Sequence, residues 1–248
     1  MRPETSQLQA IHHTLLSTAR TALLLAFALA GTAFAQSRNM APGFDALPKN
    51  AKVVIMPTDI ELFSISSGGV PEPKADWTEA ATKHFKAALF QKQKTLGVVA
   101  VELSERDADE FDEINALHAA VAGAIATHYF GASFMNLPTK NGKLDWSMGD
   151  SVSVIKLKTG GDYALFTWVR DSYTSGERQA AMVLMAILTR GQSVLGGGAQ
   201  VGYASLVDLN TGQVLWFNRL LRATGDLREP DKAAETLNAL LAGFPGSK

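Results

Sequence analysis

Histidine, serine, lysine and the acidic residues are the groups in this chain with chemistry to offer, and their spacing decides what that chemistry could be. Beyond His12 and His13, which precede an apolar run, the histidines are His84, His118 and His128. His84 falls beside the apolar stripe that Trp77 and Ala88 mark. His118 follows Ile114 by one helical turn and precedes Val121, again near a buried face. On one helix His118 and His128 would stand about 15 Å apart at 1.5 Å rise per residue, too far to share a metal ion. None lies in an H-E-x-x-H frame. The pattern predicts histidines at the boundary of a packed interface and no metal site.

The serine motifs lack their partners. Gly149-Asp150-Ser151-Val152 has the opening of a GDS-type esterase block. That serine needs a downstream histidine as general base, and none follows His128. Ser153-Val154-Ile155-Lys156 has the S-x-x-K form and Lys158-Thr159-Gly160 spells K-T-G. In penicillin-recognising enzymes those boxes face each other across a cleft from distant parts of the chain, with an S-D-N box between. Here they are adjacent and the third box is missing, so the match reads as coincidence. Gly196, Gly197, Gly198 and Gly202 do not form G-x-G-x-x-G, because Ala199 and Val201 occupy needed positions, and no G-K-[ST] follows. They read as a helix-to-strand connection or, in the functional alternative, as a mobile lid or oligomerisation surface flanked by Met182, Met185, Leu188, Val194 and Leu195.

Carboxylates supply one cluster. Asp59 and Glu61 follow the first strand, and Asp162 and Asp171 bound a later one. If those strands are parallel neighbours, Asp59, Glu61 and Asp171 meet at one sheet end, joined by Arg170 and Tyr173. Open α/β sheets bind ligands at that end. Capping and solvated-loop roles are the alternative. No catalytic set and no cofactor is expected.

The elements that must position these groups follow from apolar periodicity. Ala51 to Met56 reads as a buried strand stopped by Pro57, and Phe63 to Lys74, with two glycines and two prolines, as a loop. Trp77, Ala80, Ala81, Phe85, Ala88 and Leu89 share one helix face. Gly97 precedes a strand over Val98 to Leu103. Phe111, Ile114, Leu117, Val121 and Ile125 mark a second helix, running to about Tyr129. A turn over Pro138 to Gly142 and a helical segment around Trp146 to Lys158 come next. Asp162 to Asp171 is apolar on both faces, hence a central strand, and Gln179 to Leu188 is a short buried helix. Gln200 to Leu209 and Gln213 to Leu221 form a hairpin about Asn210-Thr211-Gly212. Pro230 opens a last helix with Ala234, Leu237, Leu240 and Leu241 inward, closed by Gly243. This order predicts one α/β domain over residues 51–248: a single mixed sheet, early strands parallel, a C-terminal antiparallel hairpin, flanked by helices.

Composition narrows function by exclusion. The chain has 248 residues, with 23 Lys+Arg against 24 Asp+Glu, and 46% of its residues are hydrophobic. A net charge of -1 offers no electrostatic footprint for nucleic acid. With no cysteine there are no disulfides, thiolate metal sites, thiol catalysis or cysteine-linked lipid anchor. Arg20, the apolar run Thr21 to Ala35 and its Ala33-Phe34-Ala35 ending have the parts of a secretory signal peptide cleaved after Ala35. The run is short for a membrane span, which takes about 20 apolar residues; an uncleaved anchor preceded by polar Met1 to Ala19 is the alternative. Residues 36–50 would be a flexible lead-in. No transmembrane span remains after cleavage, and a periplasmic or secreted location follows.

Three segments carry a resemblance. Val54 to Pro57, Gly161-Asp162-Tyr163, and the hairpin residues Asp208, Thr211, Gly212, Val214 and Trp216 resemble a diffuse group of bacterial envelope proteins. The group includes the curli secretion channel protein and the N-terminal domain of the Tol–Pal translocation protein. The chain departs from the channel protein in lacking the lipid-anchoring cysteine and long alternating membrane strands. The resemblance implies an α/β fold and a non-enzymatic accessory or assembly role in the cell envelope, through contacts with envelope proteins or self-association. A periplasmic hydrolase or small-ligand binder using Asp59, Glu61, Arg170, Asp171 and Tyr173 is the competing reading.

Overall fold

A computed structural model describes residues 38–103, 109–175, 198–223 and 225–247. Its elements in chain order are β1 Lys52–Ile55, β2 Asp59–Ile65, β3 Pro71–Pro73, α1 Ala75–Gln93, β4 Val99–Glu102, α2 Asp112–His128, α3 Ser153–Thr159, β5 Tyr163–Thr174, β6 Gln200–Asp208, β7 Val214–Arg222 and α4 Pro230–Leu240. The expected helix over Gln179 to Leu188, the glycines up to Gly197 and the signal sequence lie outside the described residues.

Pro57 does stop the first strand, but the chain resumes at once along the same neighbour. β1 and β2 both run parallel to β5, pairing Ile55 with Leu165 and Asp59 with Trp168. Three residues on one side thus oppose two on the other, which is a bulge. One extra residue reverses the side-chain alternation. Val53 and Ile55 therefore face the same core as Ile60 and Leu62. The Thr167 hydroxyl donates to the Thr58 hydroxyl at 2.8 Å across the break.

β5 is the central strand, as its apolar faces predict, with β1 and β2 on one edge and antiparallel β6 on the other. β4 extends the sheet beyond β1 in parallel, β3 extends it beyond β2 antiparallel, and β7 closes the far side. The single mixed sheet has α1 and α4 packed on one face around Phe85, Leu165, Leu206 and Trp216. On the other, α2 and α3 cover Val54, Ala164, Phe166 and Phe217.

Several expectations are corrected. Phe63 to Lys74 is not a loop throughout: β2 continues to Ile65 and turns back through Gly69, at φ 84°, into β3. Pro71 and Pro73 read as breakers, yet an edge strand tolerates proline because one side of it needs no donors. Trp146 is not helical; its carbonyl accepts from Val214 N–H on the β7 edge, and regular helix begins at Ser153. In α4 the inward residue is Ala233, with Thr236, rather than Ala234. From Arg38 onward the expected lead-in is docked: Ala41 N–H donates to Leu215 O and Phe217 N–H to Asn39 O, and Leu47 is buried.

Candidate functional site

The parallel pairing of β2 with β5 brings all five predicted residues to one sheet end, and the pleat then divides them between its two faces. Glu61 lies directly opposite Arg170, whereas Asp171 lies opposite buried Leu62. Asp59, Glu61 and Arg170 form one group. Arg170 Nη1 reaches Asp59 Oδ1 at 2.7 Å, its Nε reaches Glu61 Oε2 at 3.2 Å, and its guanidinium stacks 4.5 Å from the Trp168 ring. Asp171 and Tyr173 form another, beneath α1 and α4.

Asp171 is 2% exposed. Its Oδ2 accepts from the Tyr173 hydroxyl at 2.5 Å and from the Gln200 amide at 2.7 Å. Burial pushes its carboxyl above the usual carboxylate range, although these hydrogen bonds pull the other way. Burial and the adjoining carboxylate raise the Tyr173 phenol strongly. Its oxygen accepts in turn from Leu227 N–H at 2.8 Å. Gln200 is fixed by Arg222 Nε at 2.9 Å and by the Thr236 hydroxyl at 3.0 Å. Arg228 lies 4.0 Å over the Tyr173 ring and chelates Asp226, whose carboxyl it holds below the usual range. A cavity of about 280 Å³ opens beside Asp171, Gln200, Gly225 and Arg228. Sequence reasoning missed Gln200, Arg222 and Arg228, which carry no motif: Gln200 and Arg222 meet Asp171 only through the β5–β6–β7 register, and Arg228 arrives from the segment between β7 and α4.

Among the described residues no helix covers the opposite face at this sheet end. One row runs Asp59, Trp168, Tyr203, Arg219 across four strands; the next runs Glu61, Arg170, Val201, Leu221. Trp168 stacks on Tyr203 at 5.0 Å, and Tyr203 on Phe217 at 5.8 Å. Phe130 then continues to the guanidiniums of Arg219 and Arg38, at 5.2 and 4.9 Å. Leu221 is 71% exposed, and an apolar groove of about 380 Å³ runs past Phe63, Ile65, Pro71 and Val201. Alternation in the hairpin, with Val201 and Tyr203 against Arg219 and Leu221, carried this signal in the sequence.

The histidines are packed, as expected, and His118 goes further than the boundary. It is 2% exposed, stacked on Phe166 at 4.8 Å with Nε2 2.8 Å from Ser205 Oγ, and burial lowers its pKa to about 3. His84 and His128 bond the carbonyls of Leu227 and Met135. Lys156 of the S-x-x-K box reaches Asn210, and Lys158 of the K-T-G box reaches Glu110. Among the described residues no group of three His, Asp or Glu side chains could hold a metal ion, and no helix is long and apolar enough to cross a membrane.

The sequence matches no protein-family model and no curated protein. Solved structures to which the chain shows a distant similarity include PelC from Paraburkholderia phytofirmans, a dodecamer, with 14% identity over 82% of this chain and 92% of that one, at a TM-score of 0.35. Lipoprotein GNA1162 from Neisseria meningitidis is similar at 13% identity, over 77% and 94% of the two chains, with a TM-score of 0.31. The C-terminal domain of LpoB from Salmonella enterica has 11% identity over 74% and 88%, at 0.28. These are bacterial envelope proteins. At such scores the likeness is diffuse, singles out no one family and carries no functional assignment.

Proposed function

We propose that this chain is a non-enzymatic accessory or assembly factor of the bacterial cell envelope, exported to the periplasm and acting through protein contacts on the open sheet face. The observation that carries this reading is the face itself. Trp168, Tyr203, Arg170 and Arg219 stand in register beside exposed Leu221, and aromatic residues with arginine are the anchors of protein interfaces. Arg170 is held by two carboxylates and a ring, so the surface is ordered before anything docks. A photoreactive residue at Leu221, introduced in cells, should couple to discrete proteins, while the same residue at exposed Lys86 on α1, across the sheet, should not. Equal, diffuse labelling from both positions would sink the proposal.

The cavity beside Asp171 favours a second reading, a site for a small polar ligand in which Asp171 and Tyr173 take part. A ligand there should shift the ring resonances of Tyr173. Fragment screening that moves only resonances of the opposite face removes this reading.

A further inference from the structure

We infer that the open face docks a second copy of this chain, sheet against sheet, about a two-fold axis that lies in the face parallel to the strands, between β5 and β6. The inference rests on the protein-contact reading above and names its partner. Charge carries it. The β2 side of the face presents Asp59 and Glu61, whose two negative charges exceed the single positive charge of Arg170 between them. The β7 side presents Arg219, which is exposed. These residues lie in the same two rows, Asp59 level with Arg219 and Glu61 level with Leu221. Rotation by half a turn about the proposed axis keeps each row level and exchanges its two ends. Asp59 of either copy then comes over Arg219 of the other, Glu61 comes over Leu221 in the adjacent row, and the Trp168–Tyr203 stacks meet at the centre.

A two-fold interface must be complementary to itself, and this pattern is. An axis across the strands would instead set the acidic side against the acidic side. Stacked sheets stand about 10 Å apart with strand directions within about 30°, a gap that these aromatic and branched side chains fill. Four strands about 4.8 Å apart and rows about 7 Å apart make a small patch. The dimer is therefore reversible and concentration-dependent rather than obligate.

The test uses the full chain, purified in whatever form the cell produces, by sedimentation over a wide concentration range. A monomer–dimer equilibrium is expected. Arg219→Glu, which sets like charges against each other twice per dimer, should weaken it by about tenfold or more. Adding Asp59→Lys to Arg219→Glu restores the facing pair with its charges exchanged and should return most of the loss, which a merely misfolded variant could not do. Because the chain is free of cysteine, Val201→Cys gives one reactive thiol beside the axis. A short bis-maleimide should join it into dimers, whereas Lys86→Cys should stay monomeric. A chain that remains monomeric at every concentration, or an oligomer indifferent to Arg219→Glu, overturns the inference. If such a monomer still couples a different protein through a probe at Leu221, self-association alone has failed and the wider reading stands. If neither occurs, both fail.

Discussion

The imidazole of His118 is neutral at pH 7 because it is buried, 2% exposed, with a phenyl ring stacked on one side and a serine hydroxyl at Nε2, so a charge there would be poorly solvated. In the unfolded chain the same group titrates near 6.5, and in the folded one near 3. Between those values the unfolded state binds the extra proton, so stability falls as pH falls, by about 1.4 kcal/mol per unit. Denaturant unfolding should therefore show roughly 2 kcal/mol lost between pH 7 and pH 5 on account of this residue. His118→Gln, which keeps a polar partner for Ser205 but does not titrate, should flatten that slope; an unchanged slope refutes the assignment. Asp171 works in the opposite sense. Its folded pKa lies above the ordinary 3.8, so through the window between the two the folded state holds more protons and stability falls as pH rises. The burial cost is in force at neutral pH. Asp171→Asn retains an oxygen for Tyr173 and Gln200 without the charge. It should be the more stable protein at pH 7, by on the order of 1 kcal/mol, with the gap closing below pH 4. A variant less stable at pH 7 would show that the ionised form is what Tyr173 and Gln200 require.

At the level of elements, turns and closures explain why some of the fold was legible in the sequence and some was not. Asn210-Thr211-Gly212 announced the hairpin because its chemistry is local: Asp208 Oδ1 accepts from Asn210 N–H at 2.7 Å, and Gly212 adopts φ 69°. Another reason for that glycine was not local. A β-carbon on Gly212 would stand 2.2 Å from the Gly149 carbonyl oxygen, so this turn packs against the loop before α3. Gly142 has a similar φ of 64° but open space around it. Gly142→Ala should thus cost about 1 kcal/mol, the backbone penalty alone. Gly212→Ala should cost roughly 2–4 kcal/mol, since a backbone must also move. Equal losses in thermal unfolding would mean that the Gly149 loop yields freely. The Pro57 bulge shows the same division. Proline announced an interruption, but only tertiary pairing with β5 could tell a strand end from a one-residue slip. That slip put Asp59 and Glu61 on one face and Asp171 on the other. The predicted cluster was right about the sheet end and could not have been right about the faces, because a single uncounted residue reverses them. Gln200, Arg222 and Arg228 were illegible for a related reason: they converge from three separate stretches with no spacing to betray them.

For the whole molecule, the order of packing along the chain bears on the proposed export. The described fold begins at Arg38, whose guanidinium donates to Tyr129 O at 2.6 Å while its own carbonyl accepts from the Tyr129 hydroxyl at 2.9 Å. Its guanidinium also lies 4.9 Å from the Phe130 ring. This clamp ties the first strand-like residues to the end of α2, and Asn39, Met40 and Ala41 then cover the β7 edge, leaving less of it for another strand. Cleavage after Ala35 would leave only Gln36 and Ser37 ahead of the clamp. A peptidase must reach its bond in extended form, and cutting past Arg38 would break the contacts that this residue makes with Tyr129 and Phe130. If the proposed export and the Ala33-Phe34-Ala35 cleavage motif hold, intact-mass measurement on protein recovered from the periplasm should give a chain starting at Gln36. Ala35→Arg, which removes the small residue that the cleavage pocket requires, should leave the leader attached and the protein at the membrane. Removing residues through Arg38 from the processed chain should cost about 1–2 kcal/mol in unfolding free energy, the scale of its charge-assisted hydrogen bond and ring contacts. A mature chain that begins beyond Arg38 and loses no stability would show that the clamp is dispensable and that export is governed by some other boundary.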